Sequence, residues 1–429
     1  MRPRRGHTAA TGCLPWRPRV IYAPRQLITD LEAVMPFSVP RLTRDDIMVL
    51  EAIDQLRNDL RLNLARPRRW HGALRRQTKA RSVRGSNSIE GIDVTDSEAM
   101  AIVAGEEEQV TVDKTWLAIK GYSDAMTYAR AVATDAKISI DESLIRSLHF
   151  MVQGYDLDRR PGQYRLGDIH VLEEDTGRAV YTGPDAGAVP DLMTRMVEDL
   201  HTWQEDGVPA LVQGAMAHLD LVMIHPFADG NGRLSRILQS LVLYRGGIEE
   251  AEFVSVEEYL GHNTQAYYGV LASVGQGRWN PGRDAAEWIE FMLIAHFRQA
   301  RTVQRRIWRL SRVAEQVDEL IESLDLPVRA APALELSFSG WRLRNATYRD
   351  LAQVRPNVAS RDLNALVDAG VLQRHGAKRG TWYSAAPAHR ASIEELHAAS
   401  AELFPAGIDP YRSLRRGDDL AVVPISSVP

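Results

Sequence analysis

Through most of the 429 residues, apolar side chains recur at three- and four-residue spacing, the period of helices that bury one face. The pattern predicts helices over 45–64, over a segment ending at Glu90-Gly91, and over 97–104, 115–133 and 141–153. Near the middle it runs on both sides of a polar loop: Ala215, Leu219, Val222 and Met223 precede it, and Leu234, Ile237, Leu238, Leu241 and Val242 follow. The loop therefore joins two buried helices, the first ended near His225 by Pro226, which pushes its neighbour out of the α region. The period changes at Ile169-His170-Val171-Leu172 and Arg178-Ala179-Val180-Tyr181, β-rich runs that predict a hairpin turning over Glu173 to Gly177. One or two helices are expected over 284–310, then a charged connector over 312–324. Two prolines and an alanine cluster in 326–336 mark a domain boundary.

Beyond that boundary the pattern is helix-turn-helix. Asn345 to Ala352 and Ser360 to Ala369 flank a turn at Arg355-Pro356-Asn357, with Leu363, Leu366 and Val367 at helical spacing. Two short β-prone runs, Val371 to Gln373 and Thr381 to Ser384, then flank the basic loop His375 to Gly380, and the whole resembles a winged helix. Arg355, Arg361, Arg374, Lys378 and Arg379 could touch phosphates, and packing on the core or on another protein is the equal alternative.

The central loop, HPFADGNGRLSR from His225 to Arg236, carries the chemistry. His225 is a candidate general base, since imidazole titrates near neutrality. Asp229 offers a hard carboxylate suited to Mg²⁺ shared with phosphates. Gly230, Asn231 and Gly232 permit the backbone that turns successive N–H groups toward an anion at a helix start. Arg233 and Arg236, at i and i+3, reach the same anion from one side, which implies a polyphosphate. Turn dipeptides with surface arginines would not require His-Pro-Phe before the loop, and an EF-hand lacks its alternating acids here.

These twelve residues match HPFx[D/E]GN[G/K]RxxR, and the chain is similar to the Fic family. The resemblance implies an all-α fold, a Fic helical core with a small β-hairpin flap and a C-terminal winged helix-turn-helix domain. It also implies transfer of AMP from Mg·ATP to a Ser, Thr or Tyr hydroxyl of a target protein. In that scheme His225 deprotonates the hydroxyl and Asp229 holds Mg²⁺. Gly230, Asn231 and Gly232 cradle the phosphates, and Arg233 and Arg236 grip them. Gly232 and Arg236 separate the chain from phosphotransferring relatives of the Doc type. Upstream, Ser86, Glu90 and Gly91 fit the family's inhibitory [S/T]xxxE[G/N] pattern, so the resemblance implies that Glu90 pairs with Arg236 and denies it to the γ-phosphate. Pro161 to Arg165 resembles a short element ahead of the flap. Ala179, Val180, Tyr181 and Thr182 stand in the flap, whose edge could add a target strand, although Tyr181 to Pro184 replaces a common proline pair. Tyr267 resembles an element near the nucleotide base.

Composition narrows the context. A net charge of −4 argues against wholesale nucleic-acid coating, and 45% hydrophobic with 25% charged residues is ordinary for a water-soluble protein. The single cysteine, Cys13, excludes an internal disulfide framework and fits a cytoplasmic location. No apolar run is long enough to span a bilayer, so no membrane contact is expected. The expected organisation is a disordered leader over 1–40, with Met35 as an alternative start, and a regulatory helical region over 41–135. A catalytic core over 136–310, a connector over 311–333, a winged helix over 334–386 and a tail over 387–429 follow. The partners expected are ATP, a hydroxyl-bearing target, DNA or protein at the winged helix, and a second copy in a homodimer. The alternatives are removal of AMP, another nucleotide donor, or a nucleotide-sensing DNA-binding regulator.

Overall fold

The computed structural model describes residues 18–23, 35–104, 113–173, 179–248, 250, 254–420 and 422–427. Among them helices dominate and strands are few and short. In chain order come β1 (Pro18–Ala23), α1 (Arg44–Leu64), α2 (His71–Ile89), α3 (Asp96–Ala104), α4 (Lys114–Ala133), α5 (Glu142–Gln153), β2 (Asp168–Glu173) and β3 (Ala179–Thr182). Helices α6 (Val189–Glu205), α7 (Ala210–Ile224), α8 (Asn231–Arg245), α9 (Glu257–His262), α10 (Thr264–Gly275) and the 38-residue α11 (Ala286–Ser323) complete the central bundle. Then follow α12 (Ala331–Phe338), α13 (Asn345–Ala352), α14 (Pro356–Asp368), β4 (Leu372–His375), β5 (Trp382–Ala385), α15 (Arg390–Leu403) and α16 (Pro410–Arg415).

Helix α7 lies at the centre because it is apolar on nearly every side, with residues from Leu211 to Ile224 buried almost without a break. It packs against α8, so the polar loop between them is held on two fixed helices. Helix α2 is less amphipathic and buries small residues instead. A β-carbon on its Gly85 would stand 2.3 Å from the Glu257 carbonyl oxygen, and one on Gly261 would stand 2.8 Å from the Gly85 Cα. These two glycines let α2 and α9 approach backbone to backbone.

Four boundaries differ from the sequence reading. The expected connector continues α11, because Val313, Val317 and Ile321 keep one stripe buried while the charges face out. The expected boundary at 326–336 contributes to a second apolar core, with Ala330, Ala331, Ala333, Leu334 and Leu336 all buried. The expected tail is packed: Phe404, Tyr411 and Ile425 are buried in the main core, Tyr411 donates to Asp46 at 2.6 Å, and the Ile425 N–H donates to Asp59. Nor is the leader uniformly without order. Pro18–Ala23 forms a strand antiparallel to β2, and Phe37 is buried with its N–H on Asp220 at 2.8 Å. The predicted hairpin is present as β2 and β3, while residues 174–178, which include most of its turn and Arg178, lie outside the described residues.

Candidate active site

Helix α7 ends at Ile224 and His225 takes a left-handed conformation, φ 52°, while its N–H still caps Leu221. A non-glycine residue there stores of order 1 kcal/mol of strain, maintained by the packing on both sides. The ring's Nδ1 faces the Val222 carbonyl at 3.3 Å; donating there leaves Nε2 as the unprotonated nitrogen. Burial pushes the imidazole down to about 4, and nearby Arg165 adds to the shift, so His225 is neutral at physiological pH.

The loop after it is fastened from within. Asn231 accepts from the Phe227 N–H and donates to the Phe227 carbonyl, both at 2.9 Å. Expected among the phosphate contacts, this side chain closes the loop with its oxygen and one amide hydrogen, which leaves the backbone N–H and the second amide hydrogen for an anion. Gly230 adopts φ 79° and starts α8, and its N–H bonds the Asp229 carboxylate at 2.7 Å. Asp229 stays partly exposed.

Three residues outside the loop hold it in place, and the sequence did not single out their roles. His149 stacks on Phe227 with ring centroids 3.8 Å apart. Its Nδ1 accepts from the Gly162 N–H at 2.8 Å, so Nε2 donates to the Asp229 carbonyl, also at 2.8 Å. Gln153 accepts from Arg233 at 2.8 Å. Arg165 donates to the carbonyls of His225, Gly167 and Pro184, tying the base of the hairpin to the end of α7. Each is a buried polar residue on an otherwise apolar surface, a signal that marks a polar network without revealing its partner.

Both arginines are buried, and Nε and Nη1 of Arg233 and Nη1 of Arg236 have no hydrogen-bond partner among the described residues. Desolvated guanidinium nitrogens of this kind are favourable only when an anion completes them. Arg236 is otherwise engaged. It donates to Glu90 Oε1 at 2.7 Å, to the Ser86 hydroxyl at 2.8 Å and to the Ser86 carbonyl at 3.0 Å. Burial draws its pKa down, but the Glu90 carboxylate more than offsets this and holds it above the ordinary value. Glu90 caps α2, and Gly91 follows with φ 77°, a conformation suited to glycine at a helix end.

A cavity of about 170 Å³ opens beside these groups, lined by Glu90, His225, Gly232, Val180, Tyr181 and Tyr268 among others. Tyr181 of β3 donates to the Met223 carbonyl at 2.7 Å, which fixes the hairpin over the cavity; Ala179 is exposed, and Val180 and Thr182 are partly so. Tyr267 is buried beneath it, its hydroxyl 3.0 Å from His218 Nε2. The carboxylate of Asp229 fits a small hard cation that takes its other oxygens from phosphates and water.

Residues 139–243 match the model of the Fic/DOC family. The chain is 28% identical over 260 residues to the protein adenylyltransferase Fic of Drosophila melanogaster, covering 59% of this chain and 48% of that protein. It is 25% identical over 241 residues to the enzyme of the same name from Nematostella vectensis, covering 54% and 53%. The chain thus spans about half the length of the curated relatives it matches. Among solved structures it resembles a Fic family protein from Desulfovibrio desulfuricans G20, at 20% identity and a TM-score of 0.46 over 82% of this chain and 99% of that one. The family match and the curated relatives support a Fic assignment for this segment. No helix among the described residues is long and apolar enough to cross a membrane.

Proposed function

We propose that this protein is a protein adenylyltransferase, transferring AMP from Mg·ATP to a hydroxyl side chain of a target protein. The observation that carries the reading is the neutral, cavity-facing His225 beside two buried arginines with unfilled donors. In the reaction a target oxygen attacks the α-phosphorus, the bond to the α–β bridging oxygen breaks, and pyrophosphate leaves. His225 Nε2 takes the hydroxyl proton. Asp229 would hold Mg²⁺, which neutralises phosphate charge when bound. The amides of the loop and Arg233 and Arg236 orient the phosphate chain, and Tyr181 and its neighbours in the hairpin border the place where a target segment would lie.

In the same reading Glu90 is an intramolecular inhibitor. One guanidinium cannot be bidentate to a carboxylate and to a phosphate at once, so Arg236 bound by Glu90 and Ser86 is withheld from ATP. We read residues 334–386 as a winged helix; exposed Arg355 and Arg361 at the start of α14 support contact with nucleic-acid phosphates or an acidic protein surface. The single cysteine supports a cytoplasmic location.

Incubation of the Glu90→Gly variant and Mg²⁺ with ATP labelled at the α- or the γ-phosphate tests the reaction. Protein-bound label from the α position alone is expected. Label from the γ position would make the enzyme a phosphotransferase, and no label in any protein would defeat the assignment.

A further inference from the structure

A second concentration of buried positive charge lies away from the loop, where α2, α11, α12 and α15 meet. Arg81 of α2, Arg306 and Arg309 of α11 and His397 of α15 line a cavity of about 50 Å³, with Phe338 also in its wall. Glu258 takes two of these charges: Arg306 bonds both its oxygens, and Arg81 approaches at 3.8 Å. That leaves the site undercompensated. Among the described residues no carboxylate pairs with Arg309, which instead donates to the ring of His397 at 2.6 Å, or with neighbouring Arg305. Among the described residues Arg81 Nη1, which is buried, has no hydrogen-bond partner, while its guanidinium lies over the Trp341 ring.

Burial, and then repulsion from the neighbouring guanidiniums, pulls Arg81 and Arg309 down to about 10, so the charges destabilise one another in place. Such an arrangement is favourable when an anion fills it. The cavity suits one tetrahedral oxyanion, and guanidinium forks match phosphate oxygens better than they match chloride.

We propose that Arg81, Arg309 and His397, with the charge of Glu258-bound Arg306 behind them, form a binding site for a phosphate-class oxyanion, either free phosphate or the phosphoryl group of a phosphomonoester, that ties α2 to α11. Arg81 precedes Glu90 by nine positions on the same helix, roughly 13 Å along its axis. Filling the site therefore restrains the helix that carries Glu90, whatever reaction the loop performs.

The test is thermal unfolding and backbone hydrogen exchange of the full chain with inorganic phosphate, with AMP, and with sodium chloride at matched ionic strength. Phosphate at a hundredfold excess over its Kd should raise Tm by roughly 2 °C or more and slow exchange along α2. Arg309→Gln should raise Tm in phosphate-free buffer by relieving repulsion and should abolish both responses. Arg233→Ala, in the catalytic loop, should keep them. A response to AMP alone that Arg309→Gln removes would identify a phosphomonoester as the occupant. A response that chloride reproduces, that survives in Arg309→Gln, or that disappears in Arg233→Ala would overturn the proposal.

Discussion

Glu90 rests so close to Gly232 that a β-carbon on the glycine would stand 2.3 Å from the Glu90 Oε1 atom. The second glycine of the loop thus does two things. It bares the backbone at the start of α8, and it leaves the space into which α2 delivers the carboxylate that holds Arg236.

Substitution at either position should therefore act through the same contact. Glu90→Gly frees a charge-assisted hydrogen bond of about 2 kcal/mol and should tighten ATP binding by about thirtyfold. Gly232→Ala displaces the flexible end of Glu90, so in that background Glu90→Gly should add less than about threefold, a coupling read by a double-mutant cycle of ATP affinities. Adding Arg236→Ala to Glu90→Gly should cancel the gain. Full additivity of Gly232→Ala and Glu90→Gly would mean that Glu90 does not occupy this position in solution.

The pH dependence follows from His225. Its pKa is depressed, so the neutral base is present above about 4 and is lost as pH falls through that value. The rate of AMP transfer by Glu90→Gly should be insensitive to protonation of this group from pH 8 to 5.5 and should fall toward pH 4. The buried His218 and His296, both pushed down to about 3 by burial, give stability the same sign: it is intact above the unfolded pKa of about 6.5 and is lost as pH drops toward 3. A rate that halves near pH 6.5 would place His225 in water and remove the account of its tautomer.

His149 should behave as a positioning residue. Its removal leaves the Gly162 N–H and the Asp229 carbonyl without their partner, at about 1–3 kcal/mol each if they stay dry. On the proposed reaction, His149→Ala should lower kcat more than it raises KM for ATP, because Arg233 and Arg236 remain while the loop bearing Asp229 loosens. Gln could replace one of the two bonds and should recover part of the rate. Equal losses in both parameters, unaffected by Gln, would point to general unfolding instead.

How much of this was legible in the sequence depends on the range of the contact. The loop stood out because its glycines, arginines and histidine lie within twelve residues. The meeting of Glu90 with Arg236 joins residues 146 positions apart, and only the resemblance suggested it. The loop-closing bonds of the Asn231 side chain were not legible, because a side-chain amide that closes a loop and one that touches a phosphate have the same spacing. The extension of α11 was missed because its exposed charges look like a connector, although Val313, Val317 and Ile321 at i, i+4 and i+8 carried the helical signal.

Strand β1 carries a prediction about access. It pairs along β2 from Pro18↔Glu173 to Ala23↔Asp168, so the edge of β2 that faces away from β3 is already occupied by the chain itself. If targets dock there by strand addition, removing residues 1–34 should increase modification of an added target while leaving ATP affinity unchanged. A truncated protein with unaltered target modification would place docking elsewhere.

The C-terminal quarter should not be separable at Leu324, although the Pro- and Ala-rich segment that follows reads like a linker. Truncation there would strip Phe404, Tyr411 and Ile425 from the main core, each worth about 1.5–3 kcal/mol of burial. It would also leave Asp46 without the Tyr411 hydroxyl and Asp59 without the Ile425 N–H. These losses rival the whole stability of a typical domain, so the truncated chain should unfold far more easily in urea or fail to fold. Single substitutions keep the test interpretable: Ile425→Ala should cost about 2–5 kcal/mol and Tyr411→Phe about 1–3 kcal/mol, with ATP affinity preserved in whatever fraction remains folded. A 1–324 protein that melts with the parent's cooperativity and midpoint would show that the C-terminal segment is only leaning on the core.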